Sequence, residues 1–144
     1  LLVGNYADAG HLVEYADREL GSDRAARIRA YLERNGGDPT GERVADVDPV
    51  GNVHLTQFWQ GHSLGNVRDR PFAAIWDDES DPLLAALRDR DDRLTGRCSA
   101  CQYRDICRGG SRLRALRATG DLFAPDPQCY LREDEISPAS CGSS

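Results

Sequence analysis

Residues 98–107 read Cys98-Ser99-Ala100-Cys101-Gln102-Tyr103-Arg104-Asp105-Ile106-Cys107, which brings three thiols into one short loop. A fourth thiol, Cys129, follows after 21 further residues. A C-x-x-C pair lets two thiolates grip one metal from a tight turn, and two later cysteines can complete a cage of four thiolates. Thiolate is a soft ligand that suits zinc and iron alike. The spacing therefore predicts either one tetrahedral zinc or one 4Fe–4S cluster, bound by Cys98, Cys101, Cys107 and Cys129.

Two features near these cysteines favour an iron–sulfur cluster over zinc. Tyr103 and Ile106 are bulky side chains that could shield a cubane between its ligands. Gly109-Gly110 would let backbone amides approach the sulfurs, and such contacts tune the potential of a metal centre. Neither feature excludes zinc, so a zinc-stapled structural or interaction module stays open as an alternative.

The fifth cysteine, Cys141, lies in a tail of Ser, Pro, Ala and Gly residues that starts at Ser137. We expect residues 137–144 to be disordered and Cys141 to be an unpaired thiol without a role. Five cysteines in a chain with no secretion signal indicate a reducing compartment, which we expect to be the cytoplasm.

Composition limits the classes of function. The 144 residues carry a net charge of −6, and all 18 basic residues are arginine. We expect no nucleic-acid partner, because a general nucleic-acid binder needs a basic face. No window approaches the roughly 18 apolar residues of a membrane span, so we expect no membrane partner. The chain has no methionine, even at position 1, and we expect it to be cut from a longer protein.

Periodic apolar residues and turn residues predict several helices and one hairpin. Helices are expected over 7–20, 24–34, 71–76, 81–90 and 111–118. We expect Asp23 to cap the second of these helices. Alternating stretches on both sides of Asp48-Pro49-Val50-Gly51 predict a β-hairpin over 43–58. Residues 63–67 are expected to form an irregular connector, and residues 1–5 could end a buried strand.

Several short motifs occur in a defined order between residues 48 and 129. They are Asp48-x-x-Gly51-Asn52-Val53, Leu64-Gly65-Asn66-Val67, Ile75-Trp76, the cysteine run, Gly109-Gly110-x-Arg112, Thr119-Gly120-Asp121 and Asp126-Pro127-x-Cys129. In this order they resemble the SPASM or twitch region, the C-terminal extension of radical S-adenosylmethionine (SAM) enzymes. The resemblance implies an auxiliary 4Fe–4S cluster in place of zinc.

A second set of motifs resembles one branch of that family. It consists of Asn35-Gly36-Gly37, Gln57-Phe58-Trp59 and Ser63-Leu64-Gly65-Asn66-Val67-Arg68-x-Arg70-Pro71-Phe72. These are similar to radical SAM enzymes of the alternative haem pathway and of haem d1 biosynthesis. The resemblance implies iron-coproporphyrin decarboxylase-like chemistry, in which the substrate is an iron tetrapyrrole and its propionate side chains react.

Five residues could face such a macrocycle, and they are His54, Phe58, Trp59, Arg68 and Arg70. The aromatic rings could stack on the tetrapyrrole, and His54 could approach its iron. The arginines could bind propionates through bidentate contacts. Each residue also has an ordinary structural alternative, which is the core for the rings, a hydrogen-bonded site for the histidine, and solvent for the arginines.

The chain departs from the family pattern at several places. The core motif C-x-x-x-C-x-x-C is absent, so SAM and a second 4Fe–4S cluster would bind in a missing N-terminal part. Two-cluster relatives place additional cysteines where this chain has His54, Thr56 and Ser111, so we expect only one auxiliary cluster. Arg108 stands where many relatives have glycine. The resemblance further implies an electron donor such as a ferredoxin or flavodoxin.

Together these features predict an α+β fold. Residues 1–40 would be the end of a partial (β/α) barrel, and residues 41–136 would form a hairpin and a small helical lobe that binds the cluster. The chain would then be the auxiliary-cluster domain of a radical SAM enzyme of haem biosynthesis. A peptide-modifying radical SAM maturase, and an electron-transfer or scaffold protein that has lost the radical core, remain open beside the zinc module.

Overall fold

The computed structural model describes residues 5–137, which form two compact units. The first, called the thiol unit here, comprises the described parts of Leu1–Asp38 and Asp91–Ser144. The second, called the sheet unit, is Pro39–Arg90. The first join between the units lies close to the predicted domain boundary at residue 40. The return of the chain to the thiol unit at Asp91 has no counterpart in the predicted domains.

The thiol unit begins with a 3-10 turn at Tyr6–Asp8 and two helices that pack against each other, α1 (Ala9–Leu20) and α2 (Ser22–Asn35). Their buried side chains are small or aliphatic: Ala9, Val13, Ala16, Ala25 and Leu32. The prediction that Asp23 caps the second helix is wrong, because Asp23 lies in its first turn and Gly21 holds the cap position. The chain reverses already at Gly21, so the helix starts earlier than its apolar stripe.

The sheet unit contains a three-stranded antiparallel sheet of β1 (Asp46–Val47), β2 (Asn52–His54) and β3 (Gly65–Asn66). In the central strand, Val53 pairs with Val47 on one side and with Gly65 on the other. The predicted hairpin is confirmed, although its strands are shorter than the alternating pattern indicated. The predicted connector contains β3, whose two residues are too few to give a pattern.

Two helices complete the sheet unit, α3 (Phe72–Trp76) and α4 (Pro82–Arg88). The Asp81 carboxylate caps α4 by accepting hydrogen bonds from the N–H groups of Leu83 and Leu84, at 3.0 and 2.8 Å. The core of the unit is made of Val53, Leu55, Trp59, Ile75, Leu84 and Leu87. Both tryptophans of the chain, Trp59 and Trp76, belong to this unit.

Short helical segments shape the cysteine-bearing part of the thiol unit. They are 3-10 turns at Asp91–Arg93 and Gly96–Cys98, and helices α5 (Arg104–Cys107), α6 (Arg112–Thr119) and α7 (Glu133–Ile136). The Ser111 hydroxyl caps the start of α6 by accepting from the Arg114 N–H, and Gly120 caps the end of the helix. The helix predicted over 111–118 is thus confirmed. Helices α5 and α7 have four residues each and are too short to show a periodic pattern.

Helices combined with one small antiparallel sheet confirm the predicted α+β class. Within residues 5–137, no helix is both long enough and apolar enough to cross a bilayer. The strand end predicted at residues 1–5 and the disordered tail predicted at 137–144, which includes Cys141, lie almost wholly outside the described residues.

Candidate metal centre

Four cysteines line one narrow cavity in the thiol unit, and they are Cys98, Cys101, Cys107 and Cys129. Cys98 ends a 3-10 turn, Cys101 follows in the next turn, and Cys107 is the last residue of α5. Cys129 comes from the loop between α6 and α7, where its N–H donates to the Asp126 carbonyl at 3.0 Å. All four are free thiols. The structure therefore brings together the complete set of thiols that the spacing indicated.

Backbone N–H groups donate hydrogen bonds to three of the four sulfurs. The pairs are Tyr103 to Cys101 at 3.4 Å, Gly109 to Cys107, and Asp126 to Cys98. Gly109 has a φ of +81°, and a Cβ at this position would lie only 2.7 Å from the Leu94 side chain. Glycine is required there for the backbone to turn its N–H toward the sulfur. Contacts of this kind stabilise thiolates and tune the metal that they hold.

Burial determines the protonation state of the thiols. It raises the pKa values of Cys98, Cys101 and Cys107, and that of Cys107 reaches about 12. The amide hydrogen bonds act in the opposite direction, but they do not outweigh the burial. A metal that binds these sulfurs must displace their protons, because the ligand is the thiolate.

Asp126 ties the loop that carries Cys129 to the start of α6. Its buried carboxylate accepts hydrogen bonds from the N–H groups of Ser111, at 2.6 Å, and Gln128, at 3.0 Å. The same carboxylate pairs with Arg114, with 2.6 Å between Oδ2 and Nη2. In the motif Asp126-Pro127-x-Cys129, Asp126 thus has a structural role that the sequence alone did not reveal.

Arg112 is wholly buried next to the same loop. Its guanidinium donates to the carbonyl oxygen of Gly109 and to those of Leu122 and Ala124, at 3.0 and 2.8 Å. These bonds fix the segment that follows Cys107 and the segment that leads toward the fourth cysteine. The sequence marks Arg112 only as part of a motif, and its charge gives no signal of burial.

The donor set and the walls of the cavity fit an iron–sulfur cluster. Four soft thiols meet backbone N–H donors, and the side chains of Ala7, Leu131 and Ile136 provide apolar walls. All four thiols line this one cavity, and four soft thiolates are the ligands that a 4Fe–4S cluster needs.

The residues predicted to face a macrocycle belong to the sheet unit and lie in different environments. Phe58 is 69% exposed, whereas Trp59 beside it is only 5% exposed, so the two rings do not form one face. Arg70 pairs with Asp78 at 2.8 Å, and Arg68 is exposed. Among the five predicted residues, a ligand could reach the side chains of Phe58 and Arg68 without displacing a partner.

His54 is buried, and both of its ring nitrogens have partners. Nδ1 lies 2.7 Å from the His62 carbonyl oxygen, and Nε2 lies 3.3 Å from Oδ2 of Asp48. Nδ1 therefore carries a hydrogen, because a carbonyl oxygen can only accept. One nitrogen would have to leave its partner before His54 could bind a haem iron.

Asp48 organises the turn between β1 and β2. Its Oδ1 accepts from the N–H groups of Val50 and Asn52 at 3.0 and 2.9 Å, and its Oδ2 accepts from the Asn52 side chain at 2.9 Å. Asn66 in β3 donates to the Val50 carbonyl and to Oδ1 of Asn52, each at 3.1 Å. The motif residues of this region thus build a turn that is locked by hydrogen bonds.

We expect the sheet unit to lose stability as the pH rises through the neutral range. Burial lowers the pKa of His54, but hydrogen bonds to the His62 carbonyl and to Asp48 outweigh it, so the pKa lies above its usual value of 6.5. A raised folded-state pKa gives stability that is complete below the unfolded pKa and is lost as the pH rises through the folded pKa. Asp48, whose hydrogen bonds outweigh burial and lower its pKa to about 2, contributes no slope there.

Urea unfolding between about pH 6 and pH 8 tests this expectation. Tryptophan fluorescence is the appropriate signal, because both tryptophans lie in the sheet unit. His54→Gln should flatten the pH dependence, whereas His11→Gln, in the thiol unit, should leave it unchanged. An equal slope in the wild type and in His54→Gln would contradict the assigned role of His54.

Comparisons with known proteins show which families this chain resembles. Residues 39–102 match the SPASM family, which is described as an iron–sulfur cluster-binding domain. The chain is 40% identical over 136 residues to pre-heme d1 synthase of Dinoroseobacter shibae, across 94% of this chain and 33% of that protein. It is also 40% identical over 139 residues to Fe-coproporphyrin III synthase of Methanosarcina barkeri, across 94% of this chain and 35% of that protein.

A peptide-modifying enzyme matches over a shorter stretch. The PqqA peptide cyclase of Methylocella silvestris is 32% identical over 96 residues, across 65% of this chain and 25% of that protein. No solved structure matches the chain at a significant level. The chain spans about a third of the length of the curated haem relatives that it matches. The predicted resemblance is confirmed: residues 39–102 match the SPASM family of iron–sulfur cluster-binding domains, and the chain is similar to the haem and haem d1 relatives that its motifs indicated.

Proposed function

We propose that this chain is the auxiliary-cluster part of a longer radical SAM enzyme, and that Cys98, Cys101, Cys107 and Cys129 hold one 4Fe–4S cluster. The observation that carries the proposal is the single cavity lined by all four thiols. The match to an iron–sulfur cluster-binding family supports the type of cluster. SAM and a second 4Fe–4S cluster would bind in the rest of the longer protein. That part would contain a partial (β/α) barrel, and residues 1–40 would form its end.

The residues around the cavity would hold the cluster and keep water away from it. Three ligands come from one segment of 10 residues, and Asp126 fixes the loop that supplies the fourth. The backbone N–H groups of Tyr103 and Gly109 stabilise the thiolates, while Leu131 and Ile136 form apolar walls. When bound, such a cluster supplies one-electron chemistry at a potential that its surroundings set.

For the substrate we propose an iron tetrapyrrole that reacts at its propionate side chains. Two relatives support this, named pre-heme d1 synthase and Fe-coproporphyrin III synthase, because each is similar to 94% of this chain. If a hydrogen atom is removed from a propionate and CO2 is then lost, one electron is left over on the substrate. The reaction therefore requires a one-electron acceptor, which gives a reason for an auxiliary cluster.

Phe58 and Arg68 are the side chains in the sheet unit best placed to meet this substrate. Phe58 is exposed and could stack on the macrocycle, and Arg68 is exposed and could pair with a propionate. Arg70 would first have to leave Asp78, and His54 would have to leave one of its two partners.

An external electron donor such as a ferredoxin or flavodoxin would be needed to reduce the SAM-binding cluster. A reducing compartment such as the cytoplasm suits the four free thiols. A peptide substrate is the second candidate, because a PqqA peptide cyclase is also similar to this chain. That similarity covers less of the chain and has lower identity than the similarity to the two haem relatives.

The substrate proposal is tested by incubating the full-length enzyme anaerobically with SAM, reductant and iron-coproporphyrin. Mass spectrometry should show the loss of CO2 and two hydrogens from each propionate that reacts, because the abstracted hydrogen atom and the carboxyl proton leave the substrate as well. Phe58→Ala should weaken porphyrin binding by about tenfold, because one stacking ring is lost. Phe72→Ala, which removes another partly exposed ring of the same unit, is the matched control and should not.

Two measurements test the substrate and the missing core motif separately. If the porphyrin neither binds nor changes mass while a ribosomal peptide is modified, the tetrapyrrole assignment fails and the cluster assignment is unaffected. The 144-residue chain alone should form no 5′-deoxyadenosine from SAM, because it lacks the three-cysteine core motif.

A further inference from the structure

Arg112 is a buried cation that has no carboxylate partner. Its side chain is 0% exposed, and its guanidinium donates to backbone carbonyl oxygens, among them those of Leu122 and Ala124. Within residues 5–137, no carboxylate forms an ion pair with it. A buried charge of this kind is costly unless an opposite charge lies near it. The guanidinium also donates to the carbonyl oxygen of Gly109, a residue that lines the cavity of the four thiols.

Arg97 is a second cation near the four thiols, and it has an unused donor. Its side chain lines the cavity, and its Nε is buried without a hydrogen-bond partner among the described residues. The other end of the guanidinium donates to the Leu131 carbonyl and lies 3.2 Å from the carboxylate of Glu133, which is 83% exposed. The ion pair with Glu133 is therefore weakened by solvent.

We propose that Arg97 and Arg112 are positioning residues that supply the positive charge for the cluster and raise its reduction potential. This inference rests on the proposed function, in which the four cysteines hold a 4Fe–4S cluster. Reduction adds one electron and hence one negative charge to the cluster and its four thiolates. A nearby cation stabilises this charge most strongly where burial limits the screening by water. The unpaired Nε of Arg97 is the donor left over for a sulfur.

The consequence is a cluster that accepts electrons more readily than its four thiolates alone would allow. Hydrogen bonds and net charge are two of the properties that set the potential of a four-thiolate cluster. Arg97 adds both of these properties at the cavity, where Leu131 and Ile136 are apolar walls and Asp126 is a polar one. Arg112 adds its charge beside Gly109, which lines the same cavity. Such a shift favours an acceptor function, because an electron must leave the substrate for the cluster.

The test uses three variants of the reconstituted 144-residue chain. Arg97→Gln removes the charge, Arg97→Lys keeps it, and Arg117→Gln removes the charge of an exposed arginine in the same unit. Iron and sulfide per chain are measured first. The midpoint potential is then measured by a reductive titration with mediator dyes, followed by the EPR signal of the reduced cluster.

Arg97→Gln should lower the equilibrium constant for reduction about tenfold, which for one electron is about 59 mV. Arg117→Gln should keep the wild-type potential, and Arg97→Lys, which keeps the charge, should lower the potential less than Arg97→Gln does. Arg112→Gln has the same expectation as Arg97→Gln, and if that variant does not fold, the Arg97 series remains decisive.

The other possible results contradict separate claims about the cluster and its two arginines. Full iron content with an unchanged potential in Arg97→Gln overturns this inference and leaves the cluster assignment intact. An equal fall of the potential in Arg97→Lys overturns the assignment to charge. A wild-type chain that takes up no iron removes the proposed function, and this inference with it.

Discussion

Replacement of Cys129 by alanine should remove most of the iron that the reconstituted wild-type chain holds, which we expect to be about four irons and four sulfides per chain. Cys129 is the ligand that comes from outside the 98–107 segment, and its loop is fixed by the bond from its N–H to the Asp126 carbonyl. Without this thiolate, one corner of the cluster lacks its protein ligand. Iron and sulfide assays, together with the broad visible absorption of the cluster, measure the loss.

Cys141→Ala is the control, since Cys141 is not one of the four proposed ligands. It should leave the iron content unchanged. Full iron content in Cys129→Ala would exclude Cys129 from the ligand set. Stoichiometric zinc in the wild type, with no uptake of iron, would restore the zinc-stapled alternative.

The cysteine site was predictable because most of its ligands lie close together in the sequence. Cys98, Cys101 and Cys107 are close neighbours along the chain, and few functions need three thiols at that spacing. Arg108 is a further example, because its φ of +51° is a conformation that favours glycine, the residue that the family resemblance led us to expect there.

The remainder of the site depends on contacts between distant positions, which a single sequence does not display. Arg112 is an arginine in a polar chain, yet it is completely buried by bonds to carbonyl groups 10 and 12 residues away. Phe58 and Trp59 are adjacent aromatic residues, yet one is exposed and the other lies in the core. Pattern and composition treat such neighbours alike, and tertiary packing separates them.

The fold shows the same division between local and distant signals. Helix α6 was predictable because Ser111 and Gly120 mark its two ends. Strand β3 was missed because two residues cannot alternate, and its pairing partner Val53 is 12 residues earlier in the chain. The thiol unit is assembled from two separate stretches of the chain, so no local change in composition marks it as one unit.

Asp126→Ala should destabilise the thiol unit by about 3 kcal/mol, the lower end of the cost of breaking a buried ion pair. The lower end applies because the Arg114 side chain is 34% exposed and can still reach water. The substitution also leaves the N–H groups of Ser111 and Gln128 without their acceptor. Denaturant unfolding followed by far-UV circular dichroism measures the change, because most of the helical residues lie in this unit.

Asp105→Ala provides the matched control for this effect. Asp105 also pairs with an arginine in the thiol unit, Arg29 at 2.7 Å, but its side chain is 51% exposed. Exposed pairs contribute about 1 kcal/mol or less, so this variant should stay close to the wild type. If both variants lose the same stability, the loop of Cys129 is not held by Asp126. If only Asp126→Ala is destabilised, this variant should also release its cluster at a lower denaturant concentration than the wild type. The reason is that the loop that carries Cys129 is then no longer held by Asp126.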